Sequence, residues 1–200
     1  MALLDGIDST VSTETRDALR SLLGRFATTF SMGENDLGRA NAVRHRIDTG
    51  LNRPFRQALR RHPTVTVEAL DAQVDAMLRA DLIEPAQSEW ASNVVMVRKT
   101  NGSLRFCVDY RQINERTMKV SYPLPRIDVC LDALAGATWF STFDLRSGYH
   151  QVEMDVRDSD KTTFATRRGT FRFKVMPFGL CNAPATFQRL MNVALAVLNP

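Results

Sequence analysis

The chain has 200 residues, 44% hydrophobic and 24% charged, with 10 Gly and 8 Pro. That is ordinary globular composition for one domain with an attached segment, and it excludes collagen-like and low-complexity classes. The formal net charge is +4, and 22 of the 26 basic residues are Arg, a bias shared by phosphate-gripping surfaces and by GC-rich coding sequence. The three cysteines, Cys107, Cys130 and Cys181, form no C-x-x-C pair, which predicts reduced thiols in an intracellular setting and no disulfide frame or zinc site. The start MALLDGIDST has no basic then apolar pattern, and the apolar run Val193–Leu198 is far short of the ~18 residues of a membrane span, so no membrane partner is expected.

In chain order, Leu19, Leu22, Leu23, Phe26 and Phe30 keep helical spacing over 12–31, with Ser12 or Thr13 as cap. Residues 32–65 carry Gly33, Gly38, Gly50, Pro54 and Pro63 among seven arginines and read as an extended connector. Leu70, Val74, Met77 and Leu78 predict a second amphipathic helix ending near Asp81. Val94–Val97 then form a short strand, and Asn101-Gly102 precedes the alternating Leu104, Phe106 and Val108, a hairpin signal. Residues 98–126 hold seven basic and two acidic side chains, a local net charge of +5. An aromatic strand over 139–143 is expected to run into Asp144, a second hairpin to turn near Arg168-Gly169, and a final helix to start at Asn182 with Pro184 in its first turn. Its apolar face would be Phe187, Leu190, Met191, Ala194, Leu195 and Leu198. Strands and helices mix without strict alternation, which predicts an α+β fold.

Asp144 is the leading candidate for chemistry, since an acid at the end of a buried strand suits a metal ligand or catalytic group, as it also suits a turn. Two-metal phosphoryl transfer needs several carboxylates about one site, and the chain holds no Asp-Asp pair. Asp155, Asp158 and Asp160 read as a solvated loop cluster. Arg98, Lys99 and Arg105 flank the Asn-Gly turn, where a hairpin can grip a triphosphate or simply stand charged in solvent. Tyr149 is placed to pack its ring under a sugar or to be half-buried. Asp48-Thr49-Gly50 has the aspartic-protease tripeptide but lies in the Arg-rich connector without an apolar strand before it, so the protease reading is set aside.

Five stretches in order carry a family resemblance: LIEPAQSEWASNVVMVRKTNGSLRFCVDYRQIN, YPLPRID, FSTFDLRSGYHQV, KTTFATRRGTFRF and VMPFGLCNAPATFQRLMN. Together they resemble the reverse transcriptase region of gypsy-type long-terminal-repeat retrotransposon Pol polyproteins. The resemblance implies α+β fingers and a partial palm of a right-hand polymerase over 66–200, preceded by a linker segment over 1–65. It implies RNA-directed DNA polymerase chemistry: dNTPs added to a primer by two-metal phosphoryl transfer, with Mg²⁺ as cofactor. The implied partners are an RNA or DNA template-primer, a dNTP and the rest of the Pol polyprotein.

Position by position, Asp144 matches the family's first metal-binding aspartate and Tyr149 its aromatic gate against a ribose 2′-OH. Arg105 with Lys99 or Arg98 matches the triphosphate grip, Phe178 and Gly179 the loop beside nucleotide and template, and Asp109 and Arg111 framework positions in the fingers. Glu89 and Asn93 stand where the family usually has prolines, and Val120 and Val129 where it often has aspartates, departures that read as peripheral. The Tyr-x-Asp-Asp hairpin with the other two metal ligands would follow Pro184 by a few dozen residues, and these 200 residues do not reach it. The expectation is an inactive fragment of a polymerase or, alternatively, a retroelement remnant that at most binds nucleic acid weakly.

Overall fold

The computed structural model describes residues 11–33, 36–138 and 140–196. They divide into two compact units, one up to Leu37 and one from Gly38 onward. In the first, α1 (Thr13–Arg25) is capped by the Ser12 hydroxyl, which accepts the Thr15 N–H at 3.2 Å. It buries no residue and stops at Arg25 rather than continuing to 31. Thr28, Thr29 and Phe30 are poor helix formers, and a single 3₁₀ turn over Ala27–Thr29 follows.

The second unit is built on a five-stranded sheet ordered β2-β7-β6-β3-β4: β2 (Ile83–Pro85), β3 (Ser92–Arg98), β4 (Leu104–Val108), β6 (Phe164–Thr166) and β7 (Gly169–Phe173). β3 and β4 form the hairpin that the Asn-Gly signal foretold, paired from Val94↔Val108 to Arg98↔Leu104. The second hairpin turns at Arg167-Arg168, and Gly169 takes φ +128, a conformation reserved for glycine. α2 (Thr64–Arg79) buries Leu70, Val74 and Met77, the predicted stripe. Phe164, fully buried, stands at the centre of an aromatic core with Phe106 at 5.4 Å and Phe173 at 5.5 Å.

The connector is more structured than its Gly and Pro content suggested. β1 (Ala40–His45) pairs in parallel with β5 (Val152–Met154), and His45, Ile47 and Thr49 are buried. The second compact unit therefore takes in this connector from Gly38 onward. Asp48 closes an Asx turn, its Oδ1 accepting the Gly50 N–H at 2.9 Å with Gly50 at φ +51. Between β4 and β5 lie α3 (Arg111–Arg116) and α4 (Ile127–Ala133). α5 (Ala183–Ala194) packs on β1.

Three expectations need correction. Residues 140–144 form no strand: no ladder partner lies beside them among the described residues, and Phe140 and Phe143 are 63% and 79% exposed. Trp139 lies outside the described residues. The apolar face of α5 is narrower than its spacing implied, since only Ala183 and Leu190 are buried, Phe187 and Met191 are half-buried, and Ala194 and Leu195 face solvent; Leu198 lies outside the described residues. The acidic cluster is only partly solvated. Asp158 is only 4% exposed and accepts the Ile47 N–H at 3.0 Å and the Lys161 ammonium at 2.7 Å, while Asp160 binds Arg172.

Two imidazoles, His45 buried and His150 half-buried, set an acid limit on this fold. Burial lowers His45 to about 4 against the opposing charge of Asp158, and burial together with the Arg39 charge lowers His150 to about 4. Each contributes stability that is complete above its ordinary value of 6.5 and is lost as pH falls through the folded value of about 4. The expected outcome is a denaturation midpoint that declines steadily between those limits. His45→Gln should flatten part of the decline, and a flat profile would contradict the burial argument. A second outcome concerns Ile127, Leu131, Phe140 and Phe143, all exposed on the 118–147 arc. The purified chain should enhance the fluorescence of a hydrophobic dye and self-associate with concentration in sedimentation.

Candidate functional site

The β3–β4 hairpin presents the basic side chains. Residues opposite one another in an antiparallel pair share a face, and faces alternate along the strand. Arg105 lies opposite Val97 and shares its face with Cys107, whereas Arg98 lies opposite Leu104 on the face that also carries Val94 and Phe106. Lys99, two residues beyond Val97, falls on the Arg105 face and closes the hairpin with its N–H on Ser103 O at 2.8 Å. The three expected basic residues are thus separated: Lys99 and Arg105 lie on one face and Arg98 on the other. All three are exposed.

Asp109 and Arg111 sit at the base of the same hairpin. Arg111 donates through Nε and Nη2 to the two carboxylate oxygens of Asp109 at 2.8 and 2.6 Å. These bonds hold the Asp109 carboxyl below its ordinary range against the effect of partial burial, and the Arg60 charge adds a smaller pull. Both residues are therefore a framework pair, ordering the turn into α3.

A second group gathers where the chain leaves Asp144. Ser147 adopts a left-handed conformation (φ +45), a 3₁₀ turn runs over Gly148–Gln151, and the ring of Tyr149 stacks on Phe178 with centroids 5.0 Å apart. Phe187 also meets Tyr149, its ring tilted, at 5.2 Å, and His150 meets Phe178 edge-on at 5.2 Å. The structure thus brings Tyr149 against Phe178, whose chain neighbour is Gly179. Gly179 (φ +95) turns the loop under this stack, and a Cβ there would meet the Tyr110 ring at 3.5 Å.

Asn114 holds this loop and Asn182, expected as a helix cap, ties down the segment beside it. Asn114 donates from Nδ2 to Gly179 O at 2.8 Å and accepts the Cys181 N–H at 2.9 Å. Asn182 stands at the N-cap of α5, but its side chain does not cap the helix. It accepts the Val120 N–H at 3.0 Å and donates to Met118 O at 2.9 Å, tying the 118–120 segment to α5. The sequence marked Asn182 only as the start of the final helix and gave no role to Asn114.

Asp144 is exposed, within the strand-free 140–144 segment. No three His, Cys, Asp or Glu side chains converge as a metal-holding set among the described residues. A Mg²⁺ ion needs several hard oxygen ligands, so these residues by themselves do not fit that cofactor.

The family model described as "Reverse transcriptase (RNA-dependent DNA polymerase)" matches residues 97–200, just over half of the chain. The chain belongs to the reverse transcriptase family. It is 33% identical over 191 residues to the retrovirus-related Pol polyprotein from transposon 412 of Drosophila melanogaster, covering 92% of this chain and 15% of that protein. It is 32% identical over 196 residues to the corresponding polyprotein from transposon gypsy, covering 94% and 19%. An RNA-directed DNA polymerase homolog of Oenothera berteroana is 57% identical over 93 residues, covering 46% of this chain and 66% of that protein. This reverse transcriptase segment therefore spans less than a fifth of the two Drosophila polyproteins.

Among solved structures, the foamy viral protease-reverse transcriptase in complex with dsDNA superposes with a TM-score of 0.83 at 21% identity, covering 99% of this chain and 41% of that one. The same viral protein in complex with an RNA/DNA hybrid gives 0.78 at 19% identity, covering 95% and 26%. The α+β fold is thus that of polymerase fingers and palm. Among the described residues no helix is long and apolar enough to cross a membrane.

The packing of the aromatic group yields a sharp expectation. A Cβ on Gly148 would fall 2.8 Å from the Phe187 ring. Gly148→Ala should therefore cost about 1–3 kcal/mol in denaturant unfolding. Phe187→Leu in the same chain should recover part of the loss, whereas simple additivity of the two changes would show that the contact does not limit the turn.

Proposed function

We propose that the chain supplies the fingers and part of the palm of a retrotransposon RNA-directed DNA polymerase. In that reaction the 3′-oxygen of a primer forms a bond to the α-phosphorus of a dNTP and pyrophosphate leaves. The observation that carries this reading is the stack of Tyr149 on Phe178, alongside a separate hairpin that carries Lys99 and Arg105 on one face. The flat face of Tyr149 suits a wall beneath the sugar of the nucleotide. The ammonium of Lys99 and the fork of Arg105 suit the triphosphate oxygens. Arg98, on the opposite face, is assigned no part in that grip.

The chemistry of the metal belongs to a longer protein, to which Asp144 contributes one carboxylate. Residues 1–200 alone bind nucleic acid without extending a primer. The partners proposed are a template-primer held through its phosphates and an incoming dNTP.

The test measures primer extension and template-primer affinity on the same preparation. Binding should weaken with salt with a log-log slope of about −2 to −3, as for neutralising roughly three phosphates. It should be indifferent to base sequence and unchanged by Asp144→Asn. Extension above a no-protein control that Asp144→Asn abolishes would overturn the assignment of chemistry to a longer protein. A salt-independent affinity would overturn the electrostatic account of binding.

A further inference from the structure

The geometry points to Asn93 as a positioning residue that fastens an arginine-rich strap, residues 53–61, along the edge of the fingers as a second track for a nucleic-acid phosphodiester backbone. This rests on the nucleic-acid reading above and extends it to a segment outside the hairpin.

The strap runs beside the start of β3. Ala91 donates its N–H to Phe55 O at 2.9 Å and accepts the Gln57 N–H at 2.9 Å, a parallel bridge between Arg56 and Ala91. One residue pair later the backbone contact ends, and Asn93 takes over with every polar group it has on that edge. Its N–H goes to Gln57 Oε1 at 2.7 Å, its Oδ1 accepts the Arg60 N–H at 3.2 Å, and its Nδ2 donates to Ala58 O at 2.8 Å. Its own carbonyl accepts the Asp109 N–H at 2.8 Å, where β4 resumes the edge. Asn93 is thus the junction between strap and hairpin. Proline, which has neither an N–H nor an amide, would delete three of those four bonds, so the departure at this position is structural and not peripheral.

Phe55 anchors the other end of the strap, edge-on to the Trp90 ring at 5.6 Å and under the Arg116 guanidinium at 4.8 Å. What these anchors hold up is charge. Arg53, Arg56, Arg60 and Arg61 are all exposed, and none makes an ion pair with an acid among the described residues. Arg56 spends one nitrogen on Ser88 O at 3.0 Å. Arg60 is near enough to lower Asp109, which places it beside the Asp109–Arg111 pair at the foot of the hairpin. Four guanidinium groups on a pinned, extended backbone present bidentate donors at spacings a flexible loop would average away. The chemistry they fit is a run of phosphodiesters.

The experiment measures salt-dependent binding by fluorescence anisotropy with the full chain. The probes are a single-stranded oligonucleotide of about 20 nucleotides and a duplex of the same length, which identify the form of backbone on the track. Arg60→Ala with Arg61→Ala should lower the slope by about 1.4 on single strand or about 1.8 on duplex. Asn93→Pro keeps every charge, yet should lower the slope by about 1, with circular dichroism unchanged. Gln57→Ala, which removes only a side-chain acceptor, should lower it in the same direction and carries the test if Asn93→Pro unfolds. Unaltered slopes in the arginine pair and in Gln57→Ala, with binding still weakened by Lys99→Ala and Arg105→Ala, would overturn the strap while leaving the nucleic-acid reading intact. Absence of salt-dependent binding in the parent chain would overturn both.

Discussion

Ile47 is held by both ends of its backbone. Its N–H goes to the Asp158 carboxylate and its carbonyl to the Lys161 ammonium, while Asp158 and Lys161 pair with each other at 2.7 Å. Asp158 is nearly inaccessible and Lys161 largely so. A buried ion pair gains little over an apolar pair, but removing one partner leaves an unpaired buried charge that costs about 3–5 kcal/mol. The pair therefore acts less as a source of stability than as a device that permits one arrangement. With Ile47 fixed, β1 can lie only in its register against β5, and His45 meets Thr186 of α5 at 2.8 Å.

From that clasp the rest follows by side-chain-to-backbone contacts more than by regular ladders. Asp48 O accepts the Met118 N–H, Asn52 reaches Thr49 O and Arg116 O, and Asn93 meets the strap. Tyr110, wholly buried, donates its hydroxyl to Thr162 O at 2.9 Å, and burial pushes its phenol well above the ordinary range. These contacts join segments as far apart as Asp48 and Met118 without adding strands. They explain how a segment rich in Gly, Pro and Arg becomes part of a compact unit.

What was legible in the sequence was what periodicity encodes. The α2 stripe, the β3–β4 hairpin and the Arg167-Arg168 turn follow from spacing and turn chemistry that act locally. The family motifs placed Tyr149 and Phe178, and the structure supplied their stacking. The failures share a cause: they depended on partners. An aromatic run such as Phe140 to Phe143 becomes a strand only beside another strand, and the spacing of α5 is silent on how much of it a neighbour covers. Nor does composition reveal that Asp158 has a cation and a backbone N–H waiting for it, so a cluster of aspartates looks like a solvated loop. The contacts that Asn93, Asn114 and Asn182 make were hidden for the same reason, since the partners of an amide leave no periodicity.

The ties made by Asn182 also divide the molecule mechanically. α5 grips the chain at Met118 and Val120 and again at Tyr122, whose hydroxyl accepts from Asn192 at 2.8 Å and whose ring lies beneath Arg189. The next firm post is the turn that Gln151 secures through Arg146 O. Between these posts runs an arc with no buried residue among those described, closed at an entropy that changes only slowly with its length. Asp144 rides near the end of that arc, while Lys99 and Arg105 ride on a hairpin whose base is locked by Asp109 and Arg111. The carboxylate and the basic hairpin therefore hang from separate suspensions. A force applied to the arc reaches Asp144 within a few residues and must pass through the posts before it disturbs the hairpin.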